Sequence, residues 1–345
     1  MDQPSHAPPQ PPALDVLHRF QLERAGVRGA FVRLERSWQE LSSNGDYAGA
    51  LGTLLGQAVA ACALFTSGIK FDGRLSVQLQ GSGSVRLLFA ECTHDGFLRG
   101  IARCDDAATD ARIRLVPDAR LAITIENSVT VTRYQGMVPV EGDDLASAFE
   151  HYFERSEQLP TRIVLAAAGG RCGGLMLQQV ARAGGASAAG AEGAGAADAH
   201  GRASAAGAGG AGAADAHGRA SAAGAGGAGA AEDDGWNRVG HLLATMSERE
   251  LLELPPDLLL LRLFHEEDVR LQAAQPLAFA CTCSRERVEA MLHSLGRHEN
   301  EETLREQGSV EVHCEFCNRR YVFDADDIGA LFGPDDEEAA SATRH

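Results

Sequence analysis

The chain is poor in positive charge and in long apolar runs. Lys70 is its only lysine, and 31 basic against 48 acidic residues give a net charge of −17. Such a field repels a polyanion such as DNA unless a basic patch reverses it, and residues 276–345 hold 7 Arg against 15 Asp plus Glu. No apolar run reaches the roughly 18 residues of a membrane span, and the Pro-rich start lacks the pattern of a signal peptide. We therefore expect a cytosolic protein with no nucleic-acid or membrane partner.

Residues 181–235 lack Leu, Ile, Val, Met and every aromatic residue. Within them a 17-residue unit occurs twice in tandem, at residues 193–209 and 210–226. Neither copy has an apolar face to bury, so the segment is predicted to be a flexible Ala/Gly tether rather than a structural repeat. His200 and His217 recur in it and are expected to be solvated, with a weak metal site as the alternative.

Four of the eight cysteines form two close pairs, Cys281 with Cys283 and Cys314 with Cys317. In a reducing compartment such pairs are metal ligands or redox switches more often than permanent disulfides. Two pairs joined by a loop of thirty residues suit one tetrahedral zinc ion. Four thiolates fill its coordination sphere and leave no position for a catalytic water, so we predict a protein that is not an enzyme.

The Cys-x-Cys spacing of the first pair is unusual for structural zinc. In an extended chain its two Cα atoms approach the upper limit of about 6.8 Å for a disulfide, so that bond would be strained and easily reduced. Zinc-bound thiolates are also the form that oxidants attack. The pattern indicates reversible thiol chemistry, and a purely structural zinc site is the alternative.

The four remaining cysteines are predicted to be small apolar packing residues. Cys62 lies in an apolar helical segment, Cys92 and Cys104 end predicted strands, and Cys172 lies in a Gly-rich turn.

The fold class predicted from the patterning is α+β, with a mixed α/β core domain, a flexible insert, a helical linker and a small zinc-binding domain. We place a disordered start at 1–13, the core at 14–180, the tether at 181–235, the linker at 236–275, the zinc domain at 276–334 and an acidic disordered tail at 335–345. Predicted core helices span 47–65, with Asp46 as N-cap, and 145–157. Predicted strands span 74–80, 85–92, 98–103, 121–126 and 129–134, and strands 162–167 and 174–178 are expected to close the same sheet.

The linker is predicted to be helical over residues 236–270. Ser247 and Glu250 form a capping box, and the Pro255-Pro256 pair interrupts the helix. Its leucines exceed what one amphipathic face holds, so the segment must pack against another surface. His265, Glu266 and Glu267 at its end are expected to be solvated charges rather than metal ligands.

Four stretches of this sequence resemble the redox-regulated heat-shock chaperone family, the 33 kDa chaperonin. They read GSGSVRLLFAECTHDGFLRGIAR, YQGMVPVEGDDLASAFEHYFERSEQLPTRIVLA, FHEEDVRLQAAQPLAFACTCSRERVEAMLHSLG and VEVHCEFCNRRYVFDADDI. The resemblance implies a cytosolic, ATP-independent holdase of the stress response that is inactive when reduced and zinc-bound. It also implies disulfides Cys281–Cys283 and Cys314–Cys317 on oxidation, zinc release, unfolding of the zinc domain and linker, homodimerisation and capture of unfolding client proteins. The tether is the departure from the family pattern.

Two other classes of protein remain open from the residues alone. A zinc-ribbon nucleic-acid binder is disfavoured by the acidic C-terminal segment. An enzyme, either a thiol oxidoreductase or a metal hydrolase, is disfavoured by the four-cysteine ligand set.

Overall fold

The computed structural model describes residues 15–69, 71–81, 84–105, 119–140, 144–180 and 227–332. The Pro-rich start, the tandem repeat and the acidic tail lie outside these residues. So do the side chains of residues 227–233, although a helix runs through that segment.

Strands and helices follow one another along the chain in the order expected of an α+β protein, which confirms the predicted fold class. The strands are β1 Val16–Leu22, β2 Val27–Leu34, β3 Gly73–Gln80, β4 Val85–Thr93, β5 Phe97–Cys104, β6 Arg120–Asn127, β7 Thr132–Pro139, β8 Thr161–Ala168, β9 Arg171–Gln179, β10 Val269–Leu271, β11 Gln275–Pro276, β12 Ala278–Phe279, β13 Val310–His313 and β14 Arg320–Phe323. The helices are α1 Arg36–Ser42, α2 Gly49–Thr66, α3 Leu145–Ser156, α4 Gly227–Ala244, α5 Glu248–Glu253, α6 Pro256–Phe264, α7 Arg285–Leu295, α8 Arg297–Gln307 and α9 Ala325–Leu331.

Two six-stranded sheets form the core. The first sheet has the order β10-β1-β2-β9-β8, with β11 also paired to β1, and the second has the order β12-β5-β4-β3-β6-β7. All pairings are antiparallel except that of β12 with β5, which is parallel. Because side chains alternate along a strand, each sheet offers one face to the interior.

Helix α2 lies in the main apolar core, where it packs against strands of both sheets. Its small residues allow close approach: a Cβ on Gly56 would lie 2.7 Å from the Cβ of Ala167 in β8. By length and composition α2 could cross a membrane, and it is the one such helix among the described residues, but 78% of that span is buried inside the protein. The apolar run is therefore explained by its position between the sheets.

Several sequence-based boundaries were wrong. Strands β8 and β9 do not close the sheet of β3–β7; they extend the first sheet, whose strands β1 and β2 were not predicted. The strand expected at 129–134 begins at Thr132, since a turn with Val131 at φ 53° precedes it. Asp46 does not cap α2, which begins at Gly49 after Ala48 with no side-chain cap.

The linker forms three helices, α4, α5 and α6, where the sequence predicted a helical stretch interrupted only at Pro255-Pro256. The Ser247–Glu250 capping box is present at α5, and α6 begins at Pro256, as the proline pair predicts. Helix α6 ends at Phe264, however, and the chain continues into β10 on the edge of the first sheet. Helix α4 begins at Gly227, inside the range assigned to the tether.

Most leucines of the linker pack on the face of the first sheet that points away from α2, whereas Leu258 and Leu261 of α6 are exposed. Leu251, Leu259 and Leu263 are buried there together with Phe20, whose ring lies 6.1 Å from that of Phe264. The sheet face receives most of the excess apolar residues of the linker.

Candidate metal centre

The two cysteine pairs meet in one cluster. The Sγ atoms of Cys281, Cys283, Cys314 and Cys317 all lie within 4.8 Å of one another. The closest approaches join the two pairs: Cys281 to Cys314 at 3.5 Å and Cys283 to Cys317 at 3.3 Å. All four side chains are half-buried. The tertiary structure therefore brings together every ligand that the spacing predicts.

Cys281 and Cys283 lie between a strand and a helix. Cys281 follows β12, and Ser284 directly after Cys283 caps α7 by accepting a hydrogen bond from the Arg287 N–H. Both cysteines therefore lie on a short connection whose two ends are held by regular structure.

Cys314 and Cys317 lie on the turn of the β13–β14 hairpin. The Cys314 N–H donates to the Arg319 carbonyl at 2.9 Å, and the Asn318 N–H donates back to the Cys314 carbonyl at 2.8 Å. Asn318 has φ 53°, a left-handed conformation that asparagine tolerates better than most residues. The turn directs both thiols to the same point.

Hydrogen bonding distinguishes the cysteines from one another. Burial raises the pKa of the Cys283 thiol, but hydrogen bonds from the Tyr321 hydroxyl, at 3.1 Å, and from the other cysteines outweigh it and lower the pKa to about 7. Burial raises the pKa of Cys281 well above its usual value. The thiolate is the form of cysteine that binds a metal ion, so the lowered pKa of Cys283 favours binding of a thiophilic cation at this cluster. Nothing in the sequence pattern indicated the role of Tyr321.

The donor set fits zinc. Four sulfur ligands favour Zn²⁺, Cu(I) or iron–sulfur chemistry over the hard cations, and four thiolates in two close pairs suit one tetrahedral zinc ion. The surrounding unit has a small core, composed of Val288, Leu292, Val310, Tyr321, Phe323, Ile328 and Phe332. A core of this size calls for an additional cross-link such as a metal ion.

The other four cysteines do not belong to this cluster. Cys62, Cys92 and Cys172 are fully buried, and burial raises the pKa of each. Cys172 lies in strand β9 rather than in a turn, which corrects its expected position. Cys104 is half-buried.

The charged run at the end of the linker is only partly solvated. Glu267 is buried and forms an ion pair with Arg238 of α4, contrary to the expectation of a solvated side chain. Glu266 and His265 are exposed. The pair joins the first and last parts of the linker.

The metal centre contacts the second sheet through the two residues between Cys314 and Cys317. The Phe316 ring lies 4.6 Å from the Arg99 guanidinium carbon and 5.8 Å from the ring of Phe89. Glu315 pairs with Arg103 of β5. These contacts were not predictable from spacing, because a residue between two ligands has no periodicity to interpret.

Arg99 is itself held in place on both sides of this contact. It binds the buried Glu91 carboxylate through two hydrogen bonds of 2.8 and 3.0 Å, and it donates to the Thr282 hydroxyl between the first two cysteines at 3.0 Å. One arginine of the core thus contacts both halves of the cysteine cluster.

The fold and the site together define an α+β protein in which a helical linker joins a two-sheet core to a cluster of four cysteines that could hold a metal ion. The family model described as Hsp33 protein matches residues 15–324, and the chain belongs to that family. It is 37% identical over 332 residues to a 33 kDa chaperonin of Nitrosococcus oceani, covering 96% of this chain and 99% of the relative. It is 38% identical over 338 residues to one of Pseudomonas savastanoi pv. phaseolicola, covering 97% and 99%.

A solved structure shares the fold. The 33 kDa chaperonin of Thermotoga maritima superposes with a TM-score of 0.67 at 19% identity, over 92% of this chain and 98% of that one.

Proposed function

We propose that this protein is a redox-regulated, ATP-independent holdase that captures unfolding proteins in the cytoplasm during oxidative stress. The observation that carries the proposal is the cluster of Cys281, Cys283, Cys314 and Cys317 at the point where the chain leaves the core. The site would hold one zinc ion, which supplies a cross-link between the two halves of the C-terminal domain and keeps its ligands as thiolates.

Oxidation removes those ligands. Each neighbouring pair, Cys281 with Cys283 and Cys314 with Cys317, loses two electrons to form a disulfide. With hydrogen peroxide, two thiolates, one peroxide and two protons yield one disulfide and two waters. A disulfide is not a thiolate ligand, so two such steps abolish the site.

Loss of the metal would then release the linker through the short strands that connect its helices to the cysteine cluster. Residues 269–279 contain three short strands: β10 and β11 pair with β1 of the first sheet, and β12 pairs with β5 of the second. Each pairing is only two or three residues long, so it depends on the chain being held in place on both sides of residues 269–279. Once the zinc domain unfolds, residues 269–279 are held only from their N-terminal side, by the linker helices.

The released linker would expose an apolar surface suited to unfolded clients. Leu251, Leu259 and Leu263 and the sheet face beneath them are buried in the described form. Exposed contiguous apolar surface is the chemistry that recognises unfolded chains in general, and it requires no nucleotide. The same surface supports homodimerisation of the activated form.

The test is light scattering from a heat-denatured client protein. The reduced, zinc-loaded protein should leave aggregation unchanged, and the protein treated with peroxide at elevated temperature should suppress it. A Cys281→Ser, Cys314→Ser double variant cannot form either disulfide, so peroxide should not regulate it. Cys104→Ser, which alters a half-buried cysteine outside the cluster, is the matched control. Equal suppression of aggregation by the reduced and the oxidised protein would refute the proposed redox regulation.

A further inference from the structure

A small polar cavity lies between strands β1 and β2 and the C-terminal end of α2. Its volume is about 200 Å³, and Arg19, Arg28, Ser67 and Gln178 contribute to its wall. Arg28 is the cross-strand partner of Gln21 on one side and of Gln178 on the other. Since Arg19 lies two residues before Gln21 on β1, both arginines extend from the same face of the sheet.

Both guanidinium groups have only neutral partners among the described residues. Arg19 donates to the Ser67 carbonyl at 3.2 Å and to the Gln275 amide oxygen at 2.8 Å, and Arg28 donates to the Gln178 amide oxygen at 3.0 Å. Neither forms an ion pair with a carboxylate in the described part of the chain, although the protein is rich in acidic residues.

Other half-buried arginines show what is missing here. Arg99 and Arg171 each bind a carboxylate through two hydrogen bonds. Burial of Arg19 and Arg28 instead lowers the pKa of both, because their charge is partly desolvated without a compensating anion. An arginine has five N–H donors, so most of the donors of this pair remain available.

We propose that this cavity binds a phosphate-like oxyanion between Arg19 and Arg28. The guanidinium fork matches phosphate oxygens with paired hydrogen bonds, and the Gln178 side chain adds a polar wall. The volume admits one tetrahedral anion, whereas sites for larger organic ligands measure about 300–1,000 Å³. The carboxyl end of α2 opposes an anion with roughly half an elementary charge, which is less than the two full charges of the arginines.

The site includes the segment that leads to the metal centre. The Gln272 N–H donates to the Arg19 carbonyl at 2.8 Å, and Gln275 binds the Arg19 guanidinium. An anion that binds only when this segment is docked stabilises the docked form by mass action. Binding is independent of the chaperone proposal, but an effect on activation rests on it.

The first measurement is thermal unfolding of the full-length, reduced, zinc-loaded protein in sodium phosphate and in sodium chloride of matched ionic strength. We expect a saturable rise in Tm in phosphate alone, accompanied by broadening of the phosphate ³¹P resonance. Arg28→Gln should abolish both effects. Arg36→Gln, which removes an exposed arginine paired with Glu40 on α1, should retain them. A rise that is equal in chloride, absent, or unchanged in Arg28→Gln overturns the proposal.

A second variant and a second anion test the same site. If Arg28→Gln does not fold, Arg28→Lys keeps the charge but loses the fork, and it should weaken phosphate binding at least about tenfold; undiminished binding would exclude the site. Titration with tripolyphosphate distinguishes free phosphate from a terminal phosphoryl group of a longer chain, according to which probe binds more tightly. Failure of both probes to bind refutes the proposal, whatever the outcome of the client-aggregation assay.

Discussion

The aromatic ring of Phe316, between the last two cysteines of the cluster, lies 4.6 Å from the guanidinium carbon of Arg99 on β5. A cation–π contact contributes about 0.5–2 kcal/mol, and burial of the ring adds to it. Phe316→Ala should therefore loosen the metal domain from the core by about 1–3 kcal/mol without removing a ligand. We expect normal zinc content, faster hydrogen exchange in β12 and β5, and activation at lower temperature or oxidant concentration.

Glu315→Gln serves as the control for this prediction, because it changes the neighbouring residue and an exposed ion pair with Arg103. Exposed pairs contribute about 0–1 kcal/mol, so its effect should be small. If Phe316→Ala exchanges at the same rate as the parent protein, the ring does not couple the metal domain to the core.

Metal removal should unfold the C-terminal unit selectively. Structural zinc contributes about 10–16 kcal/mol to the folding of small domains, whereas residues 281–332 have only a small core of their own. Chelation of the reduced protein should abolish protection from hydrogen exchange in α7, α8 and the β13–β14 hairpin and preserve it in β3 and β4. Retained protection throughout the hairpin after complete chelation would contradict this expectation.

Single substitutions should distinguish the cysteines that bind zinc from those that only pack in the core. Cys283→Ser should sharply reduce zinc binding, since it removes one of four donors. Cys62→Ser should leave the zinc content unchanged but lower thermal stability by about 1–3 kcal/mol, because a hydroxyl replaces a fully buried thiol in α2. Zinc content is measured by release of the metal to a chromogenic chelator. Equal zinc content in both variants would contradict the assignment of Cys283 as a zinc ligand.

Acidification should weaken the docking of the linker through His18. This residue lies on β1, and its buried Nδ1 has no hydrogen-bond partner among the described residues. Burial lowers the pKa of His18 from 6.5, the charge of Arg33 acts in the same direction, and Asp257 of α6 opposes both. Because the folded-state pKa lies below the unfolded value, the unfolded chain takes up the proton first. The stabilisation is complete above about pH 6.5 and is lost as the pH falls through the folded-state pKa.

The measurement is Tm of the reduced protein between pH 8.0 and 5.5, compared with that of His18→Gln. The variant should lose less stability on acidification than the parent protein. Parallel curves would show that His18 does not contribute to the pH dependence.

Deletion of residues 193–226 should leave zinc content and peroxide activation intact, because the sequence of this long Ala/Gly segment offers no apolar face to bury, and a long connection of that composition is expected to contribute little restraint. A shortened chain that lost either property would assign the tandem repeat a role in coupling the domains.

Much of the site was predictable from the sequence because its chemistry is local. The spacing of Cys281, Cys283, Cys314 and Cys317 predicted the cluster, and the Ser247–Glu250 capping box is likewise encoded within four residues. The first two strands escaped prediction because Gly29 and three arginines interrupt their alternation. The assignment of β8 and β9 to a separate sheet also escaped it, because strand pairing is a long-range choice that periodicity does not report.

By itself, the sequence determined the α+β class, the resemblance to one chaperone family, the linker that must pack, and the two close pairs of cysteines. Each of these depends on composition, on spacing over a few residues or on the residues of one continuous stretch. Only the tertiary structure decided which sheet face receives the linker, that Phe316 meets Arg99, and that Arg19 and Arg28 share a cavity. Those relationships join residues that are distant in the chain, and the register of the strands and the burial of their side chains establish them.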